Sequence, residues 1–185
     1  KYYILKCDVS KFFASINKDI LKEKLLRKIK DKDAIKIVFD IIDSEEEGLG
    51  IGNMTSQVFA IFYLNDMDHF IKENLGIKYY VRYQDDFLLF HESKDYLKYC
   101  FEEIKKFLKK EKLELNGKSR LYTSSNNFIF LGRNQKGRYA RYRTVKRKLK
   151  KKVYLYKTGV IDLMGLSESL ICYKNLCSQN IKLPM

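Results

Sequence analysis

Tyr83-Gln84-Asp85-Asp86 lies between two apolar stretches, residues 77–82 and 87–90, and this segment decides how the chain is interpreted. Apolar stretches on both sides of a short polar segment predict a β-hairpin whose turn carries the two carboxylates. An acidic pair at such a turn repels itself and stabilises no core, so it favours a bound cation. The alternative is an ordinary hairpin turn, in which Asp is common.

A third carboxylate, Asp8, ends an earlier apolar strand over residues 2–8. The predicted order of elements, β-α-β-β-α-β, is that of the ferredoxin-like split unit, so the fold class is α+β. In that topology the end of the first strand lies beside the middle hairpin, which brings Asp8 close to Asp85 and Asp86. Three carboxylates at neighbouring strand ends can hold two divalent ions about 3.5–4 Å apart for in-line phosphoryl transfer. The sequence therefore predicts a nucleotidyltransferase with two Mg²⁺ or Mn²⁺ ions as cofactors.

Hydrophobic periodicity locates the remaining helices and strands of the chain. It predicts helices at residues 18–29, 33–42, 55–75 and 96–110, and strands near residues 120–124 and 127–133. A short helical turn is expected at residues 10–15, a glycine-punctuated loop at residues 45–52, and a further hairpin turn at residues 135–137. Gly76 is expected to end the third of these helices.

The chain has 185 residues, enough for one domain with a sizeable core, and it is strongly basic. A net charge of +14 implies an anionic partner, with nucleic acid ahead of a membrane surface. No apolar run approaches the ~20 residues of a membrane-spanning helix, so no membrane partner is expected. The chain starts almost directly in a strand, from which we infer that preceding sequence is absent.

The four cysteines have no spacing typical of a zinc site. Ordinary buried thiols in a reducing, cytoplasmic setting are therefore expected. The cysteines are Cys7, Cys100, Cys172 and Cys177.

Five sequence blocks, in the order found in the family, resemble the palm of reverse transcriptases. They are residues 8–13, 48–57, 83–86, 115–119 and 130–132. The chain looks most like bacterial retroelement enzymes related to those of group II introns. Ile-Gly-x-x-x-Ser-Gln at residues 51–57 resembles the diversity-generating retroelement type, whereas group II intron enzymes usually carry Pro-Gln-Gly at this loop. The resemblance implies an RNA-directed DNA polymerase that adds deoxynucleotides to a primer 3′-hydroxyl on an RNA template by two-metal chemistry.

The resemblance assigns catalytic roles to several of these residues. It implies that Asp8 and Asp85 bind both metals and that the Val9 carbonyl is a backbone ligand. Asp86 is then the auxiliary carboxylate of the pair. Lys118 resembles a family lysine near the leaving pyrophosphate, where it would act as a general acid or a charge clamp. The alternatives are that Asp8 caps the turn after its strand and that Lys118 is a solvated surface lysine.

The resemblance also places side chains around the incoming nucleotide. Phe13 matches the family's aromatic gate, which would collide with a ribose 2′-hydroxyl, and its alternative is a core position. Gly52 would let the backbone approach the template–nucleotide pair closely. Ile51 replaces a glutamine of the commoner pattern, which implies looser, error-prone nucleotide selection unless Ile51 simply packs. Gln57 is a candidate template or nucleotide contact, and Tyr83 is assigned to nucleotide binding.

Residues 133–157 carry twelve Lys and Arg residues and no acidic residue. A basic helix would follow phosphates through charge, and its interleaved tyrosines would stack on bases or riboses. This segment resembles the start of a thumb that holds the primer–template duplex, with a next helix at residues 166–177. The predicted domains are a palm over residues 1–135 and a basic, primer-grip and thumb-like segment over residues 136–185. The candidate nucleic-acid contacts are Gly132, Arg141, Arg143, Arg147 and Lys151.

Family members place fingers before the position of Asp8, and this chain has no such sequence, so it is expected to polymerise poorly or not at all. The expected partners are an RNA template, a DNA primer, deoxynucleoside triphosphates and an accessory protein of unknown identity. Two alternatives remain open: a template-independent or abortive-infection type polymerase, and a noncatalytic nucleic-acid-binding module of polymerase descent. A nucleotidyl cyclase of similar topology is disfavoured by the Tyr-x-Asp-Asp block.

Overall fold

The computed structural model describes residues 2–124, 128–134 and 142–176. Contacts within the chain divide it into two units, Lys1–Asn126 and Asn127–Met185. The first unit contains a four-stranded sheet with its helices, and the second contains a small hairpin and two helices. This division falls ahead of the boundary predicted between residues 135 and 136, because the small hairpin groups with the second unit.

The sheet of the first unit has the topology predicted from the sequence. Its strands are β1 (Tyr3–Asp8), β2 (Tyr79–Tyr83), β3 (Asp86–His91) and β4 (Arg120–Thr123). They lie in the order β2-β3-β1-β4, and every neighbouring pair is antiparallel. The α+β fold class is therefore confirmed, and β1 lies directly beside the β2–β3 hairpin.

Six helices and one π-helical turn complete the first unit. They are α1 (Phe12–Ser15), α2 (Lys18–Lys28), α3 (Lys32–Asp43), α4 (Met54–Tyr63), α5 (Asn65–His69), the π-helical turn Phe70–Asn74 and α6 (Lys94–Lys110). The predicted single helix over residues 55–75 is wrong, since the chain leaves helical geometry at Leu64. The buried ammonium group of Lys24 donates a hydrogen bond to the Tyr63 carbonyl, at 2.9 Å, at the point of this break. Gly76 follows the π-helical turn with a φ of 56°, as expected for a helix terminator.

The two faces of β1 have different surroundings. Leu5, Cys7 and Val9 belong to the hydrophobic core, together with Phe87 and Leu89 of β3. Because side chains alternate along a strand, Asp8 and its register partner Asp86 lie on the opposite face from this core. The alternation that builds the core therefore also presents the two carboxylates on one face of the sheet.

The second unit contains β5 (Ile129–Phe130), β6 (Arg133–Asn134), α7 (Tyr142–Lys157) and α8 (Leu163–Leu176). The predicted single strand over residues 127–133 is wrong, because β5 and β6 pair across a two-residue turn at Leu131 and Gly132. Both turn residues have positive φ, 49° and 75°, the signs of a type I′ turn. The turn predicted at residues 135–137 lies outside the described residues. A helix lies in each of the two predicted regions, but α7 begins only at Tyr142, and α8 begins at Leu163, before the predicted start at residue 166.

Cys7 and Cys100 are buried free thiols, as the sequence predicted, while Cys172 is exposed. Cys177 lies outside the described residues. Within the described residues, no helix has both the length and the apolar character needed to cross a membrane.

Candidate active site

The end of β1 and the turn of the β2–β3 hairpin bring Asp8 and Asp85 together. Asp8 is the register partner of Asp86, the first residue after the turn. The next residue, Val9, donates its backbone N–H to the Asp85 carbonyl at 3.2 Å, which fixes the turn against β1. The charge and hydrogen bonding of the Asp8 carboxyl group both raise the pKa of Asp85, so the two side chains are neighbours at this site. The predicted pair of acidic side chains is thus formed despite its separation in sequence.

The surroundings of Asp85 disfavour its ionised form. Burial raises the pKa of the Asp85 carboxyl, a backbone N–H bond partly offsets this, and the charge and hydrogen bond of Asp8 raise the pKa further. Two carboxylates held together in this way need a proton or a cation between them. This pair can therefore serve as a binding site for positive charge.

Asp86 has a different partner. Its Oδ2 lies 3.2 Å from the Nζ of Lys6, whose side chain projects from the same face of β1. Burial raises the pKa of Asp86, while the nearby Lys6 ammonium lowers it. Its Oδ1 is buried without a hydrogen-bond partner among the described residues. The structure thus brings Asp86 to the site but pairs it with Lys6, and its predicted role as a metal ligand stays a prediction.

The donor atoms at this site fit a divalent cation with oxygen ligands. In the described ranges, no group of three or more His, Cys, Asp or Glu side chains is arranged to hold a metal ion. The backbone carbonyl of Val9 is a further ligand that the sequence predicts. Val9 donates its N–H to the Asp85 carbonyl, so its backbone lies at the turn, and the role of its own carbonyl as a ligand stays a prediction. The carboxylate oxygens of Asp8 and Asp85 are hard ligands of the kind that Mg²⁺ prefers.

Asn116 orients Asp8, and sequence reasoning did not assign it a role. Its Nδ2 donates to Asp8 Oδ2 at 3.0 Å. Its backbone N–H donates to the Asp8 carbonyl at 2.7 Å. Its Oδ1 accepts a hydrogen bond from the backbone N–H of Lys118 at 3.1 Å, so the turn that follows is also fixed. The Lys118 side chain is exposed near this turn, and its role in proton transfer stays a prediction.

Phe13 is anchored to the loop at residues 45–52. The side chain of Phe12 is buried in the core, whereas Phe13 is partly buried and packs against the core, so its role as the gate stays a prediction. The Phe13 carbonyl accepts a hydrogen bond from Leu49 N–H at 2.9 Å. A Cβ on Gly48 would lie 2.7 Å from Ala14 Cα and closer still to the Phe13 carbonyl oxygen. Gly48 is therefore required for this close approach, which the glycine pattern alone did not distinguish.

The other residues predicted to contact the nucleotide are exposed. Ile51 is 89% exposed, so the alternative that it packs in the interior is wrong in this structure. A Cβ on Gly52 would meet no atom within 4 Å, so the space beside it is open. Gln57, in the first turn of α4, is exposed, and Tyr83 is 61% exposed. Their predicted nucleotide contacts stay predictions.

The turn between β2 and β3 is strained at Gln84. Gln84 has a φ of 55°, which is uncommon for a residue with a side chain. Strained backbone of this kind persists only where surrounding contacts enforce it, and it is frequent at active sites. The turn borders a cavity of about 390 Å³, and the buried Oε1 of Gln84 has no hydrogen-bond partner among the described residues. The cavity is lined by Ile61, Asp68, Tyr80, Arg82, Tyr83 and Gln84.

Helix α7 has one apolar side and an exposed basic surface. Val145 and Leu149 are buried. Arg147 and Lys151 are exposed and lie four residues apart, which places them on one helical face. The Arg143 side chain and all of Arg141 lie outside the described residues. Gly132 lies in the turn between β5 and β6, and its predicted contact with a primer stays a prediction.

With this geometry established, comparison with known proteins identifies the family. The family model described as Reverse transcriptase (RNA-dependent DNA polymerase) matches residues 1–134, which include Asp8, the β2–β3 hairpin and Asn116. The chain belongs to the reverse transcriptase family. A comparison with curated proteins gave no match.

Solved telomerase structures have a similar fold. Telomerase from Candida tropicalis, in complex with a TWJ fragment of telomeric RNA, has a TM-score of 0.60 and 17% identity over 95% of this chain and 38% of its own. The corresponding complex from Candida albicans has a TM-score of 0.58 and 13% identity, and the match covers 95% of this chain and 39% of that telomerase. Apo telomerase from Candida tropicalis truncated from its C-terminal domain has a TM-score of 0.56 and 20% identity. That match covers 72% of this chain and 33% of the telomerase. The chain thus spans between 33% and 39% of these telomerases, and the likeness shows the fold alone.

Proposed function

We propose that the chain is the catalytic palm of an RNA-directed DNA polymerase, which adds deoxynucleotides to a primer 3′-hydroxyl on an RNA template. The observation that carries this proposal is the pairing of the Asp8 and Asp85 carboxyl groups at the end of β1. In a chain that belongs to the reverse transcriptase family, that pair supports two-metal nucleotidyl transfer.

Asp8, Asp85 and the Val9 carbonyl would hold two Mg²⁺ or Mn²⁺ ions. When bound, these ions lower the pKa of the primer 3′-hydroxyl and neutralise the charge of the triphosphate. Asn116 holds the Asp8 carboxylate in one orientation through its amide. Lys6 forms an ion pair with Asp86 beside Asp8 and Asp85. Lys118 would face the leaving pyrophosphate.

We further propose an enzyme of bacterial retroelement type, most like those of diversity-generating retroelements and therefore error-prone. The segment at residues 51–57 supports this, because Ile51 is almost fully exposed and offers no hydrogen bond to a nucleotide. Ile51→Gln should lower misincorporation by up to about tenfold, since one hydrogen bond contributes about 0.5–1.5 kcal/mol. Phe13 would exclude ribonucleotides. An unchanged error rate in the Ile51→Gln variant would contradict the fidelity proposal.

The proposed partners are an RNA template, a DNA primer and deoxynucleoside triphosphates. The exposed basic surface of α7 supports duplex binding, because Arg147 and Lys151 can both reach phosphates from one side of the helix. Two of the telomerases with a similar fold were solved with an RNA fragment, and we extend RNA binding to this chain as a proposal. An accessory protein and a cytoplasmic location also remain proposals.

Primer extension by the full-length protein, with and without an RNA template, tests the function. We expect extension that requires Mg²⁺ and the template, and its loss in Asp85→Asn with duplex binding nearly intact. Extension without a template would favour the template-independent alternative. Duplex binding without any extension would favour the noncatalytic alternative, and extension by Asp85→Asn at the wild-type rate would contradict the two-metal assignment.

A further inference from the structure

Arg82, in β2, is paired with Asp68 of α5 by both arms of its guanidinium group. Its Nε donates to Asp68 Oδ1 at 2.7 Å, and its Nη2 pairs with Asp68 Oδ2. The Tyr80 hydroxyl donates to the same Asp68 Oδ1 at 2.6 Å. The Arg82 side chain is 8% exposed, so this is a nearly buried, two-pronged ion pair of the kind that only arginine forms.

The other hydrogen bonds of Arg82 go to two backbone carbonyls, one in the active-site turn and one in α4. Its Nη1 donates to the Gln84 carbonyl at 3.0 Å, directly before Asp85 in the chain. Its Nη2 donates to the Ile61 carbonyl, in α4, at 3.3 Å. The guanidinium group thus connects α4 and α5 to the first residue of the turn, which is the residue with strained backbone.

The contacts of Arg82 explain how the strained turn persists. A residue with a side chain at positive φ returns to ordinary geometry unless its neighbours prevent this. Val9 holds the carbonyl of Asp85, and Arg82 holds the carbonyl of the preceding residue, Gln84. Because these two consecutive carbonyls are both hydrogen-bonded, the backbone on either side of the Asp85 Cα is held in place.

We propose that Arg82 is a positioning residue, which holds the Gln84–Asp85 turn so that the Asp85 carboxyl group stays against Asp8 and the metal site remains formed. This inference rests on the proposed function, because it concerns the same site. In this proposal Arg82 acts through its hydrogen bond to the backbone of the turn, not through contact with substrate.

The competing explanation is that Arg82 only stabilises the fold, and Lys24 provides a matched control for that explanation. Lys24 is also a buried cation, with Asp66 at 3.0 Å and Glu111 at 2.8 Å as its ion-pair partners. It also donates to a backbone carbonyl, that of Tyr63. Its partners all lie outside the β2–β3 turn, so losing Lys24 should affect stability without affecting the geometry of the turn.

The experiment compares Arg82→Lys with Lys24→Met in the full 185-residue chain. Lysine keeps the charge but cannot bridge Asp68 and the Gln84 carbonyl together. Urea unfolding gives the stability, a Mn²⁺ titration followed by electron paramagnetic resonance gives metal affinity, and amide hydrogen exchange reports on residues 84–87. We expect both variants to lose stability. Only Arg82→Lys should lose about 10–100-fold in Mn²⁺ affinity, the usual cost of removing a residue that orients a metal ligand, and exchange faster at the turn.

The proposal is overturned if Arg82→Lys keeps the Mn²⁺ affinity of wild type and the wild-type amide exchange rates at residues 84–87. It is also overturned if both variants lose equal amounts of Mn²⁺ affinity. If Arg82→Lys does not fold, Asp68→Asn replaces it, because it weakens the pair while keeping the shape of the side chain. If the wild-type chain binds no Mn²⁺, the proposed two-metal function fails. The exchange rates at residues 84–87 alone then decide whether Arg82 holds the turn.

Discussion

At the scale of single residues, the orientation of Asp8 depends on the amide of Asn116. Truncation by Asn116→Ala removes the hydrogen bond to Asp8 Oδ2 while the backbone bond to the Asp8 carbonyl can remain. We expect Mn²⁺ affinity to fall by about 10–100-fold, because residues that orient metal ligands have effects of that size. Titration of Mn²⁺ against the folded chain measures this. Asn74→Ala, at an exposed asparagine, is the control, and equal affinities for the two variants would contradict the role of Asn116.

The raised pKa of Asp85 makes the stability of the metal-free chain depend on pH. An unperturbed Asp has a pKa near 3.8, and Asp85 in the folded chain holds its proton to higher pH. Between the two values the folded state binds more protons than the unfolded state, so the free energy of unfolding falls as pH rises. The Asp85→Asn variant has no titrating carboxyl group at this position, so its free energy of unfolding does not fall in this way. In chelator at about pH 7 the variant should therefore have a higher Tm than wild type, with a difference that shrinks as the pH is lowered.

Two controls separate this effect from a general effect of charge. The pKa of Asp95 is lowered by hydrogen bonding and charge from Lys98, so Asp95→Asn should give no gain in Tm. Added Mg²⁺ should raise the Tm of wild type and leave Asp85→Asn nearly unchanged, since ligand at a hundred times its Kd adds about 2.7 kcal/mol. A lower Tm for metal-free Asp85→Asn than for wild type would contradict the assignment.

At the scale of elements, local sequence predicted the β2–β3 hairpin but not the break after α4. Apolar residues on both sides of residues 83–86 predict two strands and a turn without any distant contact. The break at Leu64 coincides with a hydrogen bond from Lys24 to the carbonyl of Tyr63, and since these two residues are 39 positions apart, the local sequence gives no signal of it. For the same reason Asn116 and Arg82 were missed, since their importance lies in contacts that only the folded chain forms. Asp8 was found because the predicted topology placed it beside the hairpin.

The loop at residues 45–52 depends on Gly48 for its contact with α1. Gly48 has a φ of 57°, and a Cβ there would also collide with the backbone of Phe13 and Ala14. We expect Gly48→Ala to destabilise the chain by more than the about 1–2 kcal/mol of left-handed backbone strain alone. Gly76→Ala is the matched control, because its φ is 56° and a Cβ there would meet no atom within 4 Å. Equal losses in urea unfolding would show that the collision does not contribute.

At the scale of the whole molecule, the net charge of +14 attracts any nucleic acid, so a specific duplex surface must be separated from this background. Two double variants make this separation: Arg147→Glu with Lys151→Glu on α7, and Lys98→Glu with Lys106→Glu on α6. Each substitution replaces a positive with a negative charge and lowers the net charge by two, so both double variants change the net charge from +14 to +10. Any difference between them therefore reflects where the charges lie.

Both double variants should bind a primer–template duplex more weakly because of their lower net charge. The α7 double variant should lose additional affinity. Each phosphate contact that is lost reduces the slope of log affinity against log salt by about 0.7–0.9, so two lost contacts reduce it by about 1.4–1.8. The change should be similar for duplexes of different sequence, because phosphate contacts carry no base information. Fluorescence anisotropy at several salt concentrations measures both slopes. If the two variants have equal slopes, the duplex lies on another surface and the basic residues of α7 serve a different partner.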